Sequence, residues 1–395
     1  MRFSSRLPAD LTTNRLTAAL AAARAAGRPI IDLTESNPTR AGFDYPADLL
    51  APLAAPRGLL YAPEALGIAS AREAVAADFV RRGLAVAADR IVLAASTSEA
   101  YSFLFKLLCE PGDEVLVPVP SYPLFDHLTR LDAVRAVPYP LDHHGAWSID
   151  FPRFEAALSS RTRAVLLVNP NNPTGSFVRP AEVERLAVIC GGRGVAVISD
   201  EVFADYELAA GAARSSGLLL GRRDVLGFTL GGLSKSIGLP QAKLAWMAVS
   251  GPEAERQSAI AALELVCDTY LSVGTPVQLA AAELLARGAA VREQIVRRIR
   301  LNHAALHERA NGTPSCRVLG ADGGWYAVIQ VPSIATEEDL VIALVERDDV
   351  LVHPGFFFDF PRESFVIVSL LPPPEAFAAG TNRLFRHFDC TGPAP

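Results

Sequence analysis

Between about residues 61 and 249, short apolar runs alternate with stretches of helical length, and this alternation constrains the fold more than any other property of the sequence. Runs at 90–95, 114–119, 164–169, 195–200, 225–230 and 244–249 have the length of strands. Helical patterns at 98–108, 122–131 and 180–190 lie between several of them. A helix crossing between two strands returns the chain in the same direction. The pattern therefore predicts an α/β fold, a mostly parallel sheet flanked by helices. Ligands of such sheets gather outside the carboxyl ends of the strands, so the residues just after each run are the place to look for chemistry.

Beyond Thr275-Pro276 an Ala-, Arg- and Leu-rich stretch, 277–310, reads as one long helix that stops at Asn311-Gly312-Thr313-Pro314. Strands near 324–331, 350–353 and 365–370 and a helix over 337–348 then predict a smaller α/β unit. With 395 residues, half of them apolar, two units with substantial cores are expected. The first 27 residues are rich in arginine and serine and poor in acid, as transit peptides are. A helix over 16–26 leading into a strand at 30–33 explains the same residues more simply. A net charge of −6 with both signs interspersed gives no basic surface for nucleic acid. No apolar run approaches the ~20 residues of a membrane span, so neither partner is expected. Cys109, Cys190, Cys267, Cys316 and Cys390 are scattered, with no CxxC and no Cys/His cluster. That argues against a metal site or a disulfide framework and for the reducing cytoplasm.

Four strand ends carry the chemistry. Ser96-Thr97-Ser98-Glu99 runs from a strand into a helix. Its free N–H groups and helix dipole suit a phosphate, although a plain N-cap with a first-turn glutamate would look the same. Asn169-Pro170-Asn171-Asn172-Pro173-Thr174-Gly175 has more turn formers than a turn needs, which points to an amide held at a fixed place. Asp200 ends a third strand, 28 residues after Asn172 and 35 before Lys235. Each gap fits one strand–helix unit, so the three can converge on one sheet edge. Lys235 lies in a Gly/Ser-rich loop, Gly231-Gly232-Leu233-Ser234-Lys235-Ser236. Only three lysines occur, Lys106, Lys235 and Lys243, while arginine supplies the other cations. Lysine can become a neutral nucleophile near neutral pH, whereas arginine cannot.

On these strings, in this order and spacing, the chain resembles the fold-type I pyridoxal-phosphate aminotransferases of class I/II, from Asp32 to about Leu371. The resemblance implies an aspartate-aminotransferase-like fold. An N-terminal segment (1–45) would pack with a small C-terminal domain (281–395), and a large domain (46–280) would bind pyridoxal 5′-phosphate. It implies transfer of an amino group between an amino acid and a 2-keto acid. Lys235 would be the Schiff-base lysine, Asp200 the carboxylate facing the pyridine nitrogen, and Asn172 the amide at the ring oxygen and near the substrate carboxylate. Tyr122 would stack on the ring, unless it is simply a core tyrosine. Ser96, Thr97, Ser234 and Lys243 would contact the phosphate. Tyr61, in Tyr-(x)5-Gly-(x)4-Arg, would reach the phosphate of a neighbouring subunit in a homodimer with shared sites. Ser36 and Asn37 would face the substrate.

The departures from the family pattern bear on substrate. Lys243 replaces an arginine, Gly232 a serine, and Phe203 a tyrosine that hydrogen-bonds the ring oxygen. The arginine that usually grips the substrate carboxylate is missing from 365–370, where Ile367 stands at the matching position. Arg362, five residues earlier, is the candidate replacement. The same scaffold also supports β-elimination, as in C–S lyases, or non-catalytic ligand binding.

Overall fold

The computed structural model describes residues 3–8, 10–208 and 216–389. Its largest element is an eight-stranded sheet. The spatial order is Ile91–Ala94, Ala245–Ser250, Gly227–Gly232, Ala196–Asp200, Thr162–Val168, Glu114–Val119, Arg135–His143 and Trp147–Ile149. The five strands from Gly227–Gly232 to Arg135–His143 run parallel. Ala245–Ser250 is antiparallel to both neighbours, and the outermost hairpin is antiparallel. The central strands read as unbroken apolar runs because both faces are covered. On one face Phe103, Leu104, Leu263 and Cys267 from helices Thr97–Leu108 and Glu253–Tyr270 pack on Phe228 and Met247. On the other, Leu186 and Phe154 pack on Leu116 and Val197. Towards the sheet's end, Phe79 and Leu284 pack on Leu93 and Trp246.

A second sheet holds Arg317–Val318, Tyr326–Gln330, Phe365–Ser369 and His353–Pro354, all antiparallel. Helices Ala289–Ala310, Glu337–Asp348 and Pro374–Asp389 cover one face of it. The N-terminal helix Arg15–Ala25 lies against Glu337–Asp348, with Arg15 paired to Glu338 and Asp339. Ile31–Asp32 then pairs in parallel with Val350–Leu351. Among the described residues no single helix is long and apolar enough to cross a membrane. Cys390 lies outside the described residues.

Three expectations need correction. The stretch 277–310 is two helices, Thr275–Arg287 and Ala289–Ala310, divided at Gly288. A Cβ there would lie 2.6 Å from the Ile237 side chain, so the break lets the chain pass close beside the Lys235 turn. The strand expected at 225–230 runs two residues further, to Gly232. Gly231 and Gly232 are sheet residues whose absent side chains make room for Trp246 and Ala245, since a Cβ on Gly231 would be 2.5 Å from Trp246 Nε1. Lys235 therefore sits in a helical turn, Leu233–Ser236, and not in a loop. The helix expected from residue 122 starts at Phe125, after Pro123.

Buried Glu337 organises the segment before the last strand of the second sheet. Its carboxylate accepts the backbone N–H groups of Phe356 (2.8 Å), Ser364 (2.9 Å) and Phe365 (2.8 Å). Replacing it with alanine leaves three donors without an acceptor. Glu337→Ala should lower unfolding stability by about 3 kcal/mol or more, read as a shift of the denaturant midpoint.

Candidate active site

The adjacent parallel strands Thr162–Val168, Ala196–Asp200 and Gly227–Gly232 end at the same edge of the large sheet, in register Val168 to Asp200 and Asp200 to Leu230. The residues that follow them meet in one cavity of about 180 Å³. Its walls are Ser36, Thr97, Tyr122, Phe125, Val168, Asn172, Asp200, Val202, Phe203, Ser234, Lys235 and Tyr326. Eight of the sequence candidates or departures are thus together there: Ser36, Thr97, Tyr122, Asn172, Asp200, Phe203, Ser234 and Lys235.

Asn172 is carried by a turn with almost no freedom. Asn171 accepts from the Ser121 hydroxyl (2.7 Å) and donates to Pro120 O (3.0 Å) and Thr174 Oγ1 (2.9 Å). Gly175 N donates to Asn171 O at 2.7 Å. Gly175 has φ +69°, and a Cβ there would lie 2.5 Å from Gly323 O. That close approach lets Gly175 O accept from Asp322 N and Gly323 N, both at 2.9 Å. The turn is thereby tied to the segment that delivers Trp325 and Tyr326. Asn172 Oδ1 is itself buried without a protein partner.

Asp200 is 7 % exposed and accepts from the Tyr101 hydroxyl (2.9 Å) and from Val202 N (3.1 Å). Burial pushes its carboxyl up to about 6, and the Val202 N–H, Tyr101 and Lys235 each oppose that rise. Burial also lowers the Lys235 ammonium from its ordinary value, against the pull of the Asp200 charge. Lys235 Nζ lies 5.1 Å from the ring centre of Trp325 and 5.9 Å from that of Phe203. Tyr206, buried against Trp325, donates to the Lys235 carbonyl and holds the turn. The result is an amine with a lowered proton affinity facing a buried carboxylate, which suits nucleophilic chemistry.

The other candidates are placed elsewhere. Ser96 does not line the cavity; its hydroxyl caps helix Thr97–Leu108 by accepting from Glu99 N at 3.1 Å. Glu99 in turn accepts from Ala95 N at 2.7 Å, so the plain N-cap is present. Thr97, the first helical residue, does face the cavity. Lys243 is exposed and lies outside the lining. Asn37 closes a local turn by accepting from Thr39 N and Oγ1. Tyr61 is 75 % exposed and borders a different pocket with Leu271 and Thr275. Arg362 borders a third cavity, beside His143, Trp147 and Phe360, with its guanidinium 5.6 Å from the Phe365 ring centre. Ile367 is fully buried among Trp147, Val328, Phe358 and Phe365. Strand Phe365–Ser369 therefore offers no cation. Among the described lining residues, Lys235 is the one cation and Asp200 the one anion.

The class I and II aminotransferase family model matches residues 28–374. The chain belongs to the class I and II aminotransferases. It is 28 % identical over 355 residues to a glutamate–pyruvate aminotransferase of Escherichia coli, covering 87 % of each chain. It is 27 % identical over 371 residues to an alanine aminotransferase of Mycobacterium tuberculosis, covering 91 % of this chain and 86 % of the other. Among solved structures it superposes on an alanine aminotransferase from Pyrococcus furiosus with a TM-score of 0.88 at 25 % identity, covering 98 % and 100 % of the two chains. It shares the fold of a Thermus thermophilus aspartate aminotransferase variant, with a TM-score of 0.83 at 24 % identity and the same coverage.

In this aminotransferase the turn that presents Asn172 is held by Asn171 and not by its own residue. Asn171→Ala leaves the Ser121 hydroxyl and the Pro120 carbonyl without partners in a buried place. It should cost ~2–4 kcal/mol of unfolding stability, whereas Asn172→Ala, whose amide oxygen has no protein partner, should cost less. Paired chemical denaturation curves compare the two.

Proposed function

We propose that this aminotransferase holds pyridoxal 5′-phosphate on Lys235 and moves amino groups between an α-amino acid and a 2-keto acid. The convergence of Lys235, Asp200 and Asn172 on one cavity carries the reading. Two features fit that cofactor, an amine with a lowered proton affinity and a buried carboxylate suited to a pyridinium, and the Asn172 amide beside them has an NH2 group that can donate to the ring oxygen. When bound, the cofactor supplies an electron sink for the pair left by cleavage of the Cα–H bond.

The protein's own groups do the rest. Lys235 Nζ would hold the cofactor covalently and, as a free amine, would accept the proton from the substrate Cα. Asp200 would keep the pyridine nitrogen protonated through its negative charge. Thr97, at the start of its helix, and Ser234 would receive the phosphate, since free N–H groups and the helix dipole favour an anion there. Tyr122 and Phe125 line the cavity and would offer the ring an apolar surface. Phe203 offers no hydroxyl to the ring oxygen, and the Asn172 NH2 group would donate to it instead.

A homodimer completes the reading. Tyr61 projects from the surface beside Leu59 (92 % exposed) and Leu60 (70 % exposed), with Tyr270 and Leu271 also exposed. An apolar surface of that kind is covered well by a second copy, which would bring Tyr61 to its neighbour's phosphate. Cys109, Cys190 and Cys267 carry free thiols, which fits the cytoplasm.

The relatives make alanine and glutamate the first amino donors to try. Mixing holoenzyme with each donor, without a keto acid, should convert the cofactor to its amine form. That is read as loss of the long-wavelength absorbance and release of one keto acid per site. Release of ammonia and pyruvate from a β-substituted amino acid, with no half-reaction on any donor, would point to a β-eliminating lyase instead.

A further inference from the structure

We infer that Tyr101 is a positioning residue of the reaction, fixing the orientation and the ionised state of the carboxylate that faces the pyridine nitrogen. The inference rests on the proposed cofactor. Tyr101 lies one turn into helix Thr97–Leu108, four residues after Thr97, so the two side chains share a face of the helix. Thr97 meets the cavity directly, whereas Tyr101 reaches it through Asp200. One rigid element would thus address both ends of the cofactor, its first turn through Thr97 and its second through the Tyr101–Asp200 hydrogen bond.

The phenol is confined. Tyr101 is 1 % exposed, edge-on to Phe125 at 5.5 Å and stacked on Phe105 at 6.1 Å, so its hydroxyl has one place to point. It donates to Asp200 Oδ2, while the Val202 N–H takes Oδ1. Two donors on two oxygens fix the plane of the carboxylate. The titratable groups facing Asp200 are Tyr101, Tyr122, Lys235 and the adjoining Glu201, the last paired with Arg82. Burial holds the Tyr101 phenol well above its ordinary value, so it remains a donor throughout the working range. A hydrogen bond to the charged form favours that form. Without it the buried carboxyl would keep its proton to higher pH and lose its attraction for a pyridinium.

The test is binding of pyridoxal phosphate to cofactor-free protein between pH 5 and pH 9, followed by absorbance. Wild type is compared with Tyr101→Phe, with Asp200→Asn and with the double variant. In wild type, affinity should fall as pH drops through about 6, where Asp200 takes up its proton. Tyr101→Phe keeps the ring and its packing, so melting temperature serves as a control on the fold. Its profile should move upward by about one pH unit, which means roughly ten-fold weaker binding at pH 5 and roughly two-fold weaker binding at pH 7. In the Asp200→Asn background the same change should make no further difference. Superimposable wild-type and Tyr101→Phe profiles would overturn the inference, as would an equal loss with or without Asp200. Failure of wild type to bind the cofactor at any pH would instead overturn the functional reading itself.

Discussion

The site depends on the burial of one carboxylate. An ionised group with so little contact with water is costly unless charge and hydrogen bonds replace its hydration. Asp200 receives a phenol, a backbone N–H and the neighbouring Lys235 charge, yet its proton affinity is still raised. That residual cost suits a site that awaits a cation. A protonated pyridine would supply what the protein alone does not, so binding energy and electronic activation would come from the same contact. The amine beside it is tuned in the opposite direction, for burial makes Lys235 easier to deprotonate. Two groups pushed away from their charged forms in one cavity can serve as nucleophile and electrostatic anchor.

The backbone delivers these groups through close approaches that only small residues permit. Gly231 and Gly232 carry their strand past Trp246 and Ala245 and into the Lys235 turn. Gly288 breaks a long helix beside Ile237, and Gly175 lets the Asn172 turn grip the segment leading to Tyr326. The large sheet, the helix break and the second sheet therefore meet within a few residues of the amine. A substitution at any of these glycines would act on the site through backbone displacement.

The sequence was most legible where local order and strand ends coincide. Asn172, Asp200 and Lys235 could be placed together because each follows a strand of one parallel sheet, and neighbouring strands end on one edge. The α/β fold was legible for the same reason. The hairpin Arg135–Ile149 and helix Glu253–Tyr270 were not, since the first is interrupted by prolines and the second lacks a clean start signal. Tyr101, Trp325 and Tyr326 were missed because their approach is a product of packing between elements distant in sequence. Tyr101 resembles any apolar-face residue of an amphipathic helix, and only its distance to Asp200 gives it meaning. Arg362 was nominated by its nearness to a strand, but sequence does not say to which side a loop turns. Glu337 gathers the ends of that loop, and the arginine borders the cavity next to the outer hairpin. With Ile367 in an apolar cluster, that strand offers no arginine for a substrate carboxylate.

The ε-amine of Lys235 is the proposed covalent anchor for the cofactor. Borohydride reduction of the protein incubated with pyridoxal phosphate, followed by peptide mapping, tests it most directly. One pyridoxyl group per chain on the peptide containing Lys235 is the predicted result. Label on Lys106 or Lys243 instead, or none on any lysine, would contradict the account.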